Sequence, residues 1–274
     1  MSISVITTFP ENKYKQYAER MIDSFVFHWP KSIKLYVYHE GSKPPKENTQ
    51  VKKIDFFSVA PELVAFKEKY KNDPVANGDV KGNGVQRPMS FKGSDKNKKT
   101  FLFDAVRFAH KTFCVDHAIK NIDSDMILWL DADTYTFANV TEEFVRNTLP
   151  ENKMVCYLGR EKERQWPECG WVGYNKNHPR LTEFMKHWTD LYNKDTIFNE
   201  TEWHDSYVWY QTLLRMDKDL GHDLGAGIKG KHIFVNSILG SYIDHMKGSR
   251  KELGKSLKSD LITEPSHVDY WRNL

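Results

Sequence analysis

Short, continuously apolar runs alternate along the chain with longer stretches in which apolar residues recur every three or four positions. Ile3-Ser-Val-Ile-Thr-Thr-Phe9 is rich in β-branched residues and predicts a strand, and Pro10-Glu-Asn leads from it into a helical pattern from about Lys13 to Phe27. Lys34-Leu-Tyr-Val-Tyr-His-Glu40, stopped by Gly41, predicts a second strand, parallel to the first if the helix between them is a crossover. Ile54, Phe56 and Phe57 predict a short third strand, and Pro61 to Tyr70 a helix. Another helix is expected from Phe101 to Ile119, with Phe101, Ala105, Phe108, Ala109 and Phe113 on its apolar side.

Met126-Ile-Leu-Trp-Leu130 is too short for an isolated helix and too continuous for a half-exposed strand. It predicts the middle of a sheet covered on both faces. Beyond it, Asn139 to Phe144 resembles a capped helix start, Met154 to Leu158 a strand, and Pro167 to Asn175 a strand whose two glycines suggest a close approach to its backbone. Helices are expected from His178 to Tyr192 and from His204-Asp205 onward, and a last strand over His232 to Asn236. This order implies an α/β fold with a mostly parallel central sheet flanked by helices, as a single domain over residues 1–274. Nothing repeats at a fixed period, which excludes a solenoid. Residues 72–99 are rich in Gly, Asn, Asp and Lys without apolar periodicity, and are expected to form a flexible loop inside that domain.

Composition narrows the function classes only mildly. With 39% hydrophobic and 28% charged residues the chain reads as an ordinary soluble globular protein. A net charge of +3 argues for anions met locally rather than a surface that coats nucleic acid. No apolar run approaches membrane-spanning length and no signal peptide is recognised; the odd count of three cysteines, without metal spacing, suits a reducing, cytoplasmic setting. Trp166, Trp171, Trp203, Trp209 and Trp271 stand in polar surroundings and lean toward a sugar-handling cleft, although core burial accounts for most aromatic residues in any chain.

The candidate chemistry begins where the apolar strand runs into Asp131-Ala-Asp133. Two carboxylates at the carboxyl end of a central strand offer hard oxygen ligands where open α/β sheets form their ligand crevice, and small Ala132 lets a bulky anion approach. A solvated turn explains an isolated Asp-x-Asp equally well. Thr7, Thr8 and Phe9, at the end of the first strand, lie where a nucleotide base could be held. Arg107 and Lys111, four apart on a helix leading to the acid pair, could face a diphosphate, or simply be solvated. Near the other end, Asp244-His245-Met-Lys-Gly248-Ser-Arg-Lys251 offers an imidazole ligand, a glycine for close phosphate approach and a cation.

Taken in order, Thr7-Thr8-Phe9, Asp131-x-Asp133, Glu168-Cys-Gly170-Trp-Val-Gly173, His204-Asp205 and His245-x-x-Gly248-x-x-Lys251 resemble the GT-A-fold glycosyltransferases, especially the glycogenin and bacterial lipopolysaccharide galactosyltransferase group. The resemblance spans roughly residues 3 to 251 and implies a GT-A nucleotide-binding fold, a UDP-sugar donor, an acceptor hydroxyl and Mn²⁺ (or Mg²⁺). It implies that Asp131 bridges ribose and metal, that Asp133 and His245 ligate the metal, and that Gly248 and Lys251 hold the diphosphate. Asp205 falls where the family often has an acid near the transferred sugar, and retention of configuration is expected. Were transfer inverting, Asp205 or Glu168 would be the candidate base. Glu252-Leu253 follows Lys251 where the family carries Pro-Trp. Two other readings stay open at this point: a haloacid-dehalogenase-like phosphatase using Asp131 and Asp133, and a non-catalytic protein that binds nucleotide-sugars or glycans.

Overall fold

The computed structural model describes residues 1–41, 47–78, 102–230, 232–262 and 269–272. In chain order its main elements are β1 (Ile3–Phe9), α1 (Glu19–His28), β2 (Lys34–His39), β3 (Val51–Asp55), α2 (Phe56–Val59), α3 (Pro61–Tyr70) and α4 (Ala105–Asn121). They continue with β4 (Met126–Leu130), β5 (Thr134–Thr136), α5 (Glu142–Asn147), β6 (Val155–Arg160), β7 (Gln165–Asn175), α6 (Leu181–Asn193) and α7 (Asp205–Met216). The last are β8 (Gly221–Asp223), α8 (Ile233–Asn236), β9 (Ile243–His245), α9 (Arg250–Leu253) and α10 (Asp269–Arg272).

Seven strands form one sheet in the order β3-β2-β1-β4-β7-β6-β8, and only β7 runs against both of its neighbours. The sheet is therefore mostly parallel, with helices on each face, as the alternating pattern predicts. Its parallel strands show why the sequence reads as continuous apolar runs. In β4, Ile127 and Trp129 enter the core beneath α3, α4, α6 and α7, whereas Met126, Leu128 and Leu130 enter the core beneath α1, α5 and α8. Each fully buried aliphatic side chain contributes roughly 1.5–3 kcal/mol relative to exposure. A one-residue slip would exchange the two sets, so the register Leu130↔Trp171 and Ile3↔Met126 is tightly specified.

A separate two-stranded ribbon pairs β5 with β9, antiparallel, placing Thr134 opposite His245. This ribbon joins the acid pair to the late histidine across 112 residues of sequence. Its outer side is held by the carboxyl-terminal segment. Buried Asp244 accepts hydrogen bonds from the Ser256 amide and the Tyr270 hydroxyl, both at 2.8 Å, and Tyr270 stacks on Phe137 at 4.0 Å.

Several expected elements differ in detail. Phe56 and Phe57 begin a helical turn instead of extending β3, because the Asp55 side chain accepts from Ser58 N and its carbonyl from the Ser58 hydroxyl. The run His232 to Asn236 is not a strand: Ile233, Phe234 and Val235 bury within one helical turn, a choice that periodicity cannot make for so short an apolar run. The first helix opens with a wide π turn over Tyr14–Ala18 before α1. Helix α4 starts at Ala105, where Asp104 caps the Arg107 amide, four residues after its expected start at Phe101. Residues 72–78 form turns, and the remainder of the expected 72–99 loop lies outside the described residues. Trp171, Trp203, Trp209 and Trp271 are core side chains, whereas Trp166 is half-buried. All three cysteines are buried and unpaired.

Candidate metal and sugar-nucleotide site

The chain turns sharply after β4. The Asp131 amide donates to the Gly170 carbonyl at 3.0 Å, the Thr134 amide returns to the Asp131 carbonyl, and the turn aims both carboxylates into the crevice at the sheet's carboxyl edge. Trp129 Nε1 donates to Asp131 Oδ1 at 2.6 Å, fixing that side chain from below. The ribbon brings His245 over the pair, with Nε2 at 3.1 Å from Asp133 Oδ1 and 3.5 Å from Asp131 Oδ2. Lys251 reaches the other Asp133 oxygen at 2.8 Å.

One ligand atom from each of Asp131, Asp133 and His245 lies within 4.8 Å of the others, and this is the cluster of metal-ligand type among the described residues. Two carboxylate oxygens with one imidazole nitrogen suit a hard to borderline divalent cation such as Mn²⁺ or Mg²⁺. Burial alone would raise the Asp133 carboxyl, but the His245 and Lys251 charges outweigh it and hold the group well below the usual carboxylate range. Burial likewise opposes protonation of His245, and the Asp133 and Asp131 charges overcome it, raising the imidazole above its ordinary value.

The close approach expected from the β7 glycines is made by this histidine. A Cβ on Gly170 would stand 2.6 Å from His245 Cε1, so only glycine leaves room for the ring. Glu168, two residues earlier and 2% exposed, lies on the ring's other side with Oε1 at 3.2 Å from Nδ1. Its second oxygen pairs with Lys247.

Asp205 begins α7 and is held by Lys111, whose ammonium lies 2.8 Å from Asp205 Oδ2, 3.6 Å from Asp131 Oδ1 and 2.5 Å from the Cys169 carbonyl. Burial would raise the Asp205 carboxyl, and the Lys111 charge more than offsets it, so the group is depressed and ionised. Lys111 is thus a buried cation bridging the acid pair to Asp205, where the sequence offers only a basic helical face. Next to Asp205, His204 contacts buried Glu202 at 2.8 Å, and Glu202 in turn accepts from Trp166 Nε1 at 2.9 Å.

The remaining expected site residues are spread over the end of β1, α4, the turn after β4 and the bend after β9. Thr7 is fully buried, Thr8 donates its hydroxyl to the Tyr38 carbonyl at 2.6 Å, and the Phe9 ring is buried against Tyr14. Arg107 is exposed on the first turn of α4. Ala132 is buried between the two aspartates. Gly248 is exposed with φ +58, a left-handed conformation that suits glycine, at the bend that carries Lys251 back to Asp133.

Sequence reasoning missed Tyr17, Glu40 and Lys247. The Lys251 ammonium lies 4.9 Å from the centre of the Tyr17 ring, and burial together with the Asp133 charge raises the Tyr17 phenol well above its ordinary value. Glu40 directly follows β2, with His110 Nε2 at 3.4 Å from its carboxylate. An acid at a strand end was a readable signal for Glu40; the π turn that aims Tyr17 has none.

No family model matches the sequence, and no curated protein matches it. Among solved structures the chain is similar to a glycosyltransferase involved in glycosylation of the major capsid of PBCV-1, at 12% identity over 93% of this chain and 98% of that one, with a TM-score of 0.48. It is also similar to mouse xyloside xylosyltransferase 1, at 12% identity over 81% and 84% and a TM-score of 0.44. A third is the glycosyltransferase GlyE of Streptococcus pneumoniae TIGR4, at 15% identity over 80% of this chain and 44% of that one, with a TM-score of 0.42. All three of these structures are glycosyltransferases by description.

Proposed function

We propose that the chain is a metal-dependent glycosyltransferase that moves a sugar from a nucleoside diphosphate sugar, a UDP-sugar on the resemblance, to an acceptor hydroxyl with retention. The observation that carries this reading is the convergence of Asp131, Asp133 and His245, from two distant parts of the chain, at the carboxyl edge of a mostly parallel sheet with Lys251 and Lys111 beside them. Asp131, Asp133 and His245 would hold Mn²⁺ or Mg²⁺, which supplies Lewis-acid stabilisation of the charge that a diphosphate gains on leaving. Lys251, in the short helix α9 that follows the left-handed Gly248, is placed to exchange Asp133 for a phosphate oxygen.

In retaining transfer the acceptor oxygen bonds to the anomeric carbon on the face from which the diphosphate departs, and the acceptor proton passes to the leaving phosphate oxygen. No side-chain base is required. Asp205, kept ionised by Lys111, accepts hydrogen bonds from the donor sugar's hydroxyls and orients it. The phosphatase reading sits poorly with position, because β1, β2 and β3 precede the acid-bearing strand. Whether the site is catalytic is decided by experiment: nucleotide-sugars are screened by thermal shift with Mn²⁺, and the stabilising donor is assayed for release of its nucleoside diphosphate with and without metal. Mn²⁺-dependent release is expected. Turnover of phosphate monoesters, or donor binding with no release in the presence of any acceptor or water, would overturn the reading.

A further inference from the structure

The resemblance leaves Glu168 as a candidate base, but its surroundings give it a different task. The residue is 2% exposed, so an acceptor hydroxyl cannot come within the hydrogen-bond reach that general-base catalysis needs. One of its oxygens is paired with Lys247. The other lies 3.2 Å from His245 Nδ1, a buried nitrogen that has no hydrogen-bond partner among the described residues. On the opposite edge of the same ring, Nε2 faces Asp133 at 3.1 Å and Asp131 at 3.5 Å. The imidazole therefore stands between acids on both sides, in a slot that exists because residue 170 lacks a side chain.

We infer that Glu168 is a positioning residue for His245: it takes the Nδ1 side of the ring, directs Nε2 toward Asp131 and Asp133, and is itself held in place by Lys247. Histidines that ligate metals commonly present their second nitrogen to a carboxylate, which fixes the tautomer and the ring orientation and strengthens the ligand. Glu168 Oε1 stands 3.2 Å from Nδ1 without the alignment of a hydrogen bond, so a small turn of either side chain completes that layout, with Lys247, two residues after the histidine, as a further support. The inference rests on the proposed metal-dependent reading and assigns a role within it.

The test uses the full chain and Mn²⁺ as probe, counting free Mn²⁺ by electron paramagnetic resonance with and without UDP. Glu168→Gln is expected to weaken Mn²⁺ binding by about tenfold to a hundredfold, the usual cost of losing a carboxylate behind a ligating histidine. Nucleotide release by the variant, measured with the donor that most stabilises the protein, should recover most of its rate at saturating Mn²⁺. Unchanged Mn²⁺ affinity combined with a rate that stays low at saturating metal would overturn the inference and restore Glu168 as a base. Should Glu168→Gln fail to fold, Gly170→Ala offers a second route, since a methyl group there would stand 2.6 Å from the ring but 3.3 Å from Glu168 Oε1 and so presses chiefly on the imidazole that Glu168 is inferred to hold. A folded Gly170→Ala protein that binds Mn²⁺ as tightly as the parent would also overturn it. Failure of the unsubstituted protein to bind Mn²⁺ even with UDP is the separate outcome that removes the proposed function itself.

Discussion

Replacing Lys111 by Met tests the electrostatic frame of the site without replacing any of the proposed metal ligands. Lys111 is 6% exposed, and its ammonium serves Asp205 at 2.8 Å, Asp131 at 3.6 Å and the Cys169 carbonyl at 2.5 Å. Methionine matches the stem but leaves a buried carboxylate uncompensated, a change that costs about 3–5 kcal/mol when one partner of a buried pair is removed. Unfolding entropy of ~2.1 cal/mol/K per residue implies a midpoint shift of ~2 °C per kcal/mol for a chain of this length, or roughly 5–9 °C here. Thermal and urea unfolding in EDTA measure this without interference from metal. The sign of the pH dependence is fixed by Asp205. Its folded pKa is depressed, so the pair's contribution is present above the unfolded aspartate value of ~3.9 and is lost as pH falls through the lower folded value. The gap between parent and variant should therefore narrow on acidification. Adding Asp205→Asn to Lys111→Met should recover part of the loss by removing the stranded charge. A midpoint within ~1 °C of the parent at neutral pH would refute the buried-bridge account.

Asp133→Asn should reduce transfer at least about a hundredfold, the scale of one lost transition-state electrostatic contact, while circular dichroism shows a retained fold; near-normal turnover in metal-free buffer would contradict it. Tyr270→Phe keeps the stacking on Phe137 but removes the hydroxyl bond to the buried Asp244 carboxylate, and should cost about 1.5–3 kcal/mol by chemical denaturation. Proton coupling in the product of the identified reaction should report net retention of the anomeric configuration, and an inverted linkage would return Asp205 to candidacy as a base.

The main frame of the sheet was legible because burial on both faces writes itself into sequence as continuous apolar runs, and β1, β2 and β4 fall where those runs are. Ambiguity entered where the run was short or where a local hydrogen bond outvoted it. Ile233 to Val235 could be read as strand or helix, and Asp55 turned Phe56 and Phe57 into a helical start through two bonds to Ser58 that no hydrophobic pattern encodes. The aromatic residues misled for a related reason. Trp171 stands between Gly170 and Val172 and Trp209 between Val208 and Tyr210, with polar residues only further along the chain, and both rings are buried in the core.

The site divides along the same line. Asp131 and Asp133 could be picked out because acids directly after a buried strand need a reason, and His245 because its spacing to Gly248 and Lys251 resembles a known pattern. Their convergence depends on the β5–β9 ribbon, three residues on each side, which is too short to announce itself in sequence. Lys111 and Glu168 show what one-dimensional reading omits. A cation on an amphipathic helix and an acid near a glycine each have solvated explanations, and charge alone suggested phosphate for the first and proton transfer for the second. Burial changes both assignments. An ammonium enclosed by two carboxylates and a carbonyl is committed to the protein, and a carboxylate at 2% exposure between an imidazole and an ammonium is shielded from an acceptor hydroxyl in this arrangement. Lys251 is the contrasting case: its side chain stands in the short helix α9 and is 24% exposed, so an incoming phosphate can reach its ammonium where it meets Asp133.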